Sequence, residues 1–283
     1  MAIRKKRKFF SSGRWKLHLL TALWAFFVVV LLGVAVWRHR AKPSTIATDE
    51  ASLAELCQAL LPADVPDTAL HFRGFTVHFN AARHLPNYVC YRLTRHRLSG
   101  SEHRRSLPFA ACKKDVKGCP TIADYQHSGY DRGHMAPAAD FLHDSIAFAQ
   151  TFALVNICPQ SQELNSGAWR RLEEKVREWA QRDSVLLVWA GPIYSGHCAT
   201  IGQSTKVPVP SHYFKVVLAP CSKPASAIAF ILPNDMPSAS LAQYAVSVQE
   251  VERRTGIRFF ASLPLHEQQR LKSATNDNQW FHF

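Results

Sequence analysis

Three stretches of this 283-residue chain carry side chains fit for chemistry. The first is Asp131-Arg132-Gly133-His134-Met135-Ala136-Pro137. An imidazole titrates near 6.5, so His134 suits taking a proton from water near neutrality. The glycine beside it lets backbone approach another molecule closely. His134 is also one of 14 histidines, and a packed or surface role is the plain alternative. The second stretch is Asn156-Ile157-Cys158-Pro159-Gln160, then Leu164-Asn165-Ser166-Gly167-Ala168-Trp169, then Glu173. An asparagine carbonyl is a hard oxygen donor for Mg²⁺, and asparagine is equally a common helix cap. Both roles are open for Asn165. On a shared helix, Glu173 lies about 80° around and roughly 12 Å along from it. That distance suits ordering water near an ion, or simply a solvated charge. The third feature is basic: residues 83–117 hold nine Lys/Arg against Glu102 and Asp115. Such a patch attracts a phosphate backbone without reading sequence, and a guanidinium can clamp a phosphoryl centre. A solvated basic loop is the competing view.

Together these stretches resemble the DNA/RNA non-specific endonuclease family, the ββα-metal nucleases that include mitochondrial endonuclease G. The resemblance runs from about Phe75 to Phe260. It rests most on DRGHMAP (131–137), NICPQ (156–160) and LNSGAWRRLE (164–173), with support from Tyr91–Thr94, Ala190-Gly191-Pro192, Val209–Lys215 and Val248–Gly256. It implies His134 as the general base that activates water to attack phosphorus. It implies Asn165 as the sole protein ligand of one Mg²⁺, for which Mn²⁺ can substitute, and Glu173 as the acid that orders the ion's water shell. Arg132 matches the arginine inside the histidine motif, and Asn156 a polar residue beside the site. Arg105 aligns with the upstream arginine that stabilises the pentacovalent phosphorane, with Arg104 adjacent. Phe152 stands where some members carry a second asparagine four residues before Asn156, which bears on substrate preference. The implied partners are DNA and RNA regardless of sequence, with a homodimer open. The implied fold is α+β, a ββα-metal nuclease core with a mixed or antiparallel central sheet flanked by helices. An alternative of another class is a membrane-anchored protein of this fold that captures nucleic acid, in DNA uptake for instance, without cutting it. A pure binder needs only the basic patch, so the joint presence of His134, Asn165 and Glu173 favours the enzyme.

The elements that must position these residues are partly legible. Phe75–Phe79 alternates as FTVHF, and Tyr88–Thr94 reads as a second strand. Ala168–Arg182 is the clearest amphipathic helix, with Trp169, Leu172, Val176, Trp179 and Ala180 at helical spacing. Ser184–Ala190 reads as a buried strand ending at Gly191-Pro192, and His212–Leu218 and Ala227–Leu232 as two more. Val246–Thr255 predicts a helix closed by Gly256. A short helix is expected near Leu53–Leu61. Residues 95–130 read as loops and residues 264–283 as polar and peripheral. There is no internal repeat and no βαβ regularity, which favours one α+β domain.

The N-terminus has a separate character. Leu17–Trp37 is a run of 21 residues without a formal charge, roughly 30 Å as a helix, enough to cross a hydrocarbon core. It is longer than a cleaved leader's apolar region and exits into Trp37-Arg38-His39-Arg40, a poor cleavage site. Seven Lys/Arg precede it and three follow, which puts the N-terminus in the cytoplasm and the remainder across the membrane. In a Gram-negative cell that compartment is the periplasm; a mitochondrial inner membrane is the weaker possibility. The expected organisation is 1–16 basic tail, 17–37 transmembrane helix, 38–68 linker, 69–262 nuclease domain and 263–283 C-terminal tail. The formal charge of +13 is mostly this tail's: ten of 34 Lys/Arg fall in residues 1–42, leaving 24 against 21 acids beyond. Whole-chain charge is therefore poor evidence for nucleic-acid binding. All seven cysteines follow the apolar run, where an oxidising compartment permits disulfides. The preferred pairs are Cys112–Cys119, across a short loop, and Cys198–Cys221, flanking two strands; full connectivity is not deducible.

Overall fold

In the computed structural model the residues described are 20, 23–31, 46, 48–99, 107–112, 116–235, 239–274 and 280–281. The chain divides into two units, Met1–Ser44 and Thr45–Phe283. In the first, Leu20 and residues 23–31 are helical, and the apolar side chains of Trp24, Phe26 and Phe27 are exposed. Most of the expected span at 17–37 lies outside the described residues. Among those described, no helix is long and apolar enough to cross a membrane.

The second unit is built on α1 (Glu50–Leu56), β1 (Thr68–His71), β2 (Phe75–Asn80), β3 (Leu85–Thr94), α2 (Ile122–Tyr125), β4 (Asp131–His134), α3 (Ser145–Gln150), β5 (Ile157–Gln160), α4 (Arg170–Asp183), β6 (Val185–Ile193), β7 (Thr200–Ile201), β8 (Val207–Pro208), β9 (His212–Ala219), β10 (Ser226–Pro233), β11 (Ala245–Val246), α5 (Val248–Thr255) and α6 (Leu265–Ser273). Seven strands form one sheet in the order β1-β2-β3-β6-β9-β10-β11, with every pairing antiparallel. Its central strands are buried on both faces, so they read as near-continuous apolar runs rather than clean alternations. One face carries Val89, Tyr91, Val188, Tyr213 and Phe230 and packs against α4 and the β4–β5 hairpin. The other carries Cys90, Trp189, Phe214 and Val216 and packs against α1, α5 and α6. The fold is thus α+β with a large antiparallel sheet between two layers.

Several expectations change. β6 continues through Gly191 and Pro192 to Ile193, because Pro192 needs no donor where it faces Tyr213. A Cβ on Gly191 would meet the Asn87 carbonyl oxygen at 2.6 Å, so the glycine permits the close approach of β3. The C-terminal segment is not peripheral. Trp280 is fully buried, its ring 4.8 Å from Trp179, and its carbonyl accepts the Trp179 indole N–H at 2.8 Å. Gly256 closes α5 in the left-handed conformation, as expected. Cys112 and Cys119 are bridged. Cys198 and Cys221 are not. The first lies before β9, whose His212 pairs with Ile193, and the second lies beyond Ala219 at the other end. An eight-residue strand holds those ends about 26 Å apart, far beyond disulfide reach.

Candidate active site

The histidine motif forms β4, half of a two-stranded hairpin with β5 in the register Asp131↔Gln160 and His134↔Ile157. Gly133 and Gln160 share a face, and a Cβ on Gly133 would sit 2.0 Å from Gln160 Oε1. The glycine is there because Gln160 occupies that space. Gln160 is fully buried, and neither end of its amide has a partner among the described residues. The hairpin is tied to the main sheet by Tyr213, whose hydroxyl donates to the Pro159 carbonyl at 2.6 Å.

Asn156 fixes the chain just beyond His134. Its side-chain oxygen accepts from Ala136 N–H at 2.9 Å, and its Nδ2 donates to the carbonyls of Ala136 (2.9 Å) and Thr151 (2.8 Å). It is fully buried, and all three of these bonds are to backbone groups. The His134 ring lies between Phe109, 5.5 Å away, and Phe152, edge-on at 5.1 Å. Burial pulls its pKa down to about 4, so the ring is neutral at neutral pH. Nε2 is buried without a partner among the described residues. The Arg132 guanidinium lies over the far aromatic neighbour, 4.5 Å from the Phe109 centroid, so Arg132 and His134 share one aromatic wall.

The chain enters α4 through a wide turn at Leu164–Trp169 that includes non-helical backbone at Gly167. Such turns interrupt the regular ladder and recur at functional sites. Asn165 sits in this turn and caps nothing: neither the turn nor α4 has a side-chain cap. Instead its Nδ2 donates to Asp131 Oδ2 at 3.0 Å. Four residues on, the Trp169 indole N–H donates to the His134 carbonyl at 3.2 Å. The turn is therefore fastened to the first and last residues of β4.

One helical turn later Glu173 interacts with the same indole, on the edge of a buried charge cluster. Asp140 accepts from Arg177 (3.0 Å) and from the Tyr91 hydroxyl (2.8 Å). Lys215 is fully buried, its Nζ 4.4 Å from the Trp169 ring and without a hydrogen-bond partner among the described residues. Burial pushes Glu173 up to about 7; Lys215 opposes the rise, Asp140 adds to it and Arg177 opposes it. Burial likewise depresses Lys215, against the pull of Glu173 and Asp140.

Asn165 spends its amide N–H on Asp131, which leaves its oxygen and that carboxylate as oxygen donors at the mouth of the turn. Oxygen donors fit a hard cation of the Mg²⁺ class. No cluster of three His, Cys, Asp or Glu suited to a zinc-type cage occurs among the described residues.

The site residues expected from sequence thus fall into three linked places. Arg132 and His134 meet at Phe109, Asn165 meets β4 at Asp131, and Glu173 reaches β4 through Trp169. Asn156 lies behind them. Arg105 lies outside the described residues, as do Arg104, Lys113 and Lys114. The basic patch is also smaller than its charge count. Arg92 pairs with Glu50, Arg97 donates to the Arg92 carbonyl, and Arg95 caps the C-terminus of α4 through the carbonyls of Gln181 and Arg182. Three of the nine cations therefore serve folding. Asp131, Trp169, Lys215 and the Asp140–Arg177 pair were not singled out from sequence. Asp131 lies inside the histidine motif, Trp169 inside LNSGAWRRLE and Lys215 at the end of Val209–Lys215, whereas the Asp140–Arg177 pair offered no local signal.

The family model for DNA/RNA non-specific endonuclease matches residues 54–265. Similar proteins include "Nuclease EXOG, mitochondrial" of Danio rerio, 33% identical over 221 residues that cover 70% of this chain and 63% of that one. The Homo sapiens protein of the same name is 33% identical, with coverage of 70% and 59%. "Nuclease 1, mitochondrial" of Schizosaccharomyces pombe is 30% identical, with coverage of 75% and 72%. The match spans about six tenths of the two animal proteins. Among solved structures, the "Crystal structure of the EndoG/EndoGI complex: Mechanism of EndoG inhibition" superposes with a TM-score of 0.66 at 25% identity, covering 70% of this chain and 88% of that one. With the histidine motif on a hairpin, an asparagine turn fastened across it and a family match over most of its length, the chain belongs to the DNA/RNA non-specific endonuclease family.

Proposed function

We propose that this chain is a Mg²⁺-dependent endonuclease that hydrolyses phosphodiester bonds of DNA and RNA without regard to sequence. The observation that carries the reading is the double fastening of the Asn165–Trp169 turn to β4, which links the amide, the indole and the histidine strand in one unit. His134 is the general base. Its neutral state at working pH leaves a lone pair ready for a water proton, and with Nε2 buried, Nδ1 is the nitrogen assigned to that water. Asn165 Oδ1 would hold the cation, which when bound supplies positive charge for the phosphate and leaving oxygens. Glu173 orients water on the helix side, and Asn156 keeps the strand after His134 in place. Arg132 meets the phosphate charge, and Arg105, which lies outside the described residues, is assigned to stabilise the pentacovalent phosphorane. The backbone oxygens are common to all sequences, so base identity matters little. Relatives named as mitochondrial nucleases support the reading.

The proposal includes a membrane anchor at Leu17–Trp37, supported by the exposed apolar helix at residues 23–31 and the basic flank. The catalytic unit then faces the periplasm or an equivalent compartment. Protease added to spheroplasts should digest the catalytic unit; protection of the unit there refutes that topology.

The activity test is digestion of supercoiled plasmid and of structured RNA with Mg²⁺, with and without EDTA. Cleavage of both that stops with EDTA is expected. Intact substrate with every divalent ion would leave a binding protein instead.

A further inference from the structure

Cys57 and Cys90 stand apart from the bridged pair and from the site. Cys57 caps α1, and its backbone is laid across the far face of the sheet. Its carbonyl accepts the Trp189 indole N–H at 2.8 Å, and Trp189 is the register partner of Cys90. Two residues on, Ala59 exchanges two hydrogen bonds with the Tyr88 hydroxyl, at 2.7 and 3.3 Å. Tyr88 and Cys90 point to the same face, as residues i and i+2 of a strand must. Residues 57 and 59 therefore run antiparallel over residues 90 and 88, which brings the Cys57 and Cys90 side chains to the same patch of that face.

We propose that Cys57 and Cys90 form a second disulfide, stapling the end of α1 to strand β3. Two thiols are oxidised, the S–S bond forms, and two protons and two electrons pass to the oxidant, a small-molecule or protein disulfide that leaves as two thiols. Access sets the order. Cys57 is half-buried and Cys90 buried, so the oxidant is attacked by Cys57 first, and Cys90 then resolves the mixed disulfide. The contact with Cys57, then burial, keep the Cys90 thiol well above its ordinary range, in keeping with that order. The same unit bridges Cys112 and Cys119, so an environment that oxidises one pair serves both. Neither of the ends Cys198 and Cys221 competes, since neither belongs to the α1–β3 cluster.

The test uses the full chain, purified and equilibrated with oxidised glutathione, then unfolded and alkylated without reductant. Mass spectrometry should show three alkylated thiols (Cys158, Cys198 and Cys221) and one peptide pair joining residues 57 and 90. Five alkylated thiols, or a link from either residue to another cysteine, overturns the proposal. On reduction the wild-type chain should lose about 5–15 °C of Tm beyond what Cys57→Ser/Cys90→Ser loses.

Discussion

Gly133→Ala is the sharpest local perturbation. The new methyl would lie 2.0, 2.3 and 2.5 Å from Oε1, Cδ and Cγ of Gln160, where non-bonded carbons normally rest about 3.5–4.0 Å apart. The glutamine must therefore retreat by about 1–1.5 Å. It is fully buried on β5, whose Pro159 carbonyl is held by Tyr213, so the strain falls on the hairpin. Overpacking of this kind costs about 1–3 kcal/mol, or about 2–12 °C of Tm in a domain of this size. A shift of about 1 Å beside His134 also costs about 10²-fold in turnover. Scanning calorimetry reads the first quantity and single-turnover cleavage of a labelled duplex the second. The decisive element is the cycle with Gln160→Ala, which clears the space. The two changes should couple favourably by about 1 kcal/mol or more. A Gly133→Ala protein as stable and active as wild type, or a double variant with no coupling, refutes the steric account of the motif's glycine.

Titration offers a test with a definite sign. From about pH 4.5 to 6.5 the unfolded chain takes a proton on His134 that the folded ring, at about 4, refuses, while folded Glu173, at about 7, keeps one that the unfolded chain loses. The two effects offset. His143 and His212, which burial also lowers, act in the same sense as His134, so the second effect is read as a difference. Relative to His134→Asn/Glu173→Gln, His134→Asn should lose stability as pH rises from 4.5 to 7, by up to about 1.4 kcal/mol per unit. Urea unfolding across that range checks it, and a flat difference contradicts the raised Glu173. Lys215→Met removes the cation that opposes that rise, so the acidic limb of the pH–rate profile should move to higher pH; an unmoved limb makes Lys215 a packing residue only. Asn165→Ala should raise the Mg²⁺ concentration needed for half-maximal cleavage by tenfold or more, and an unchanged titration removes it as the ligand.

What could be seen in the sequence was what depends on local pattern. FTVHF, SVLLVWA and the apolar spacing of α4 carry their pattern in neighbouring residues, and each formed the expected element. β4 could not be seen that way. Asp131-Arg132-Gly133-His134 is polar and short, and becomes a strand only because β5 pairs with it. The fate of Asn165 was equally non-local, since capping and binding to Asp131 differ only in where a strand 34 residues away lies. Trp280 looked peripheral because its partner, Trp179, is 101 residues distant. Lys215 is hidden for a deeper reason. A buried lysine is rare unless charges elsewhere offset its desolvation, and Glu173, Asp140 and Trp169 come from other elements. The disulfide expected at Cys198–Cys221 failed because β9, itself legible as a strand, runs between the two cysteines and keeps them at opposite ends.

The central claim is that His134 takes the proton from the attacking water. Its most direct measurement is the single-turnover rate of duplex cleavage by His134→Ala at saturating Mg²⁺, with folding verified by circular dichroism. A loss of about 10²–10⁴-fold is predicted. A folded variant that cuts within threefold of the wild-type rate would contradict it.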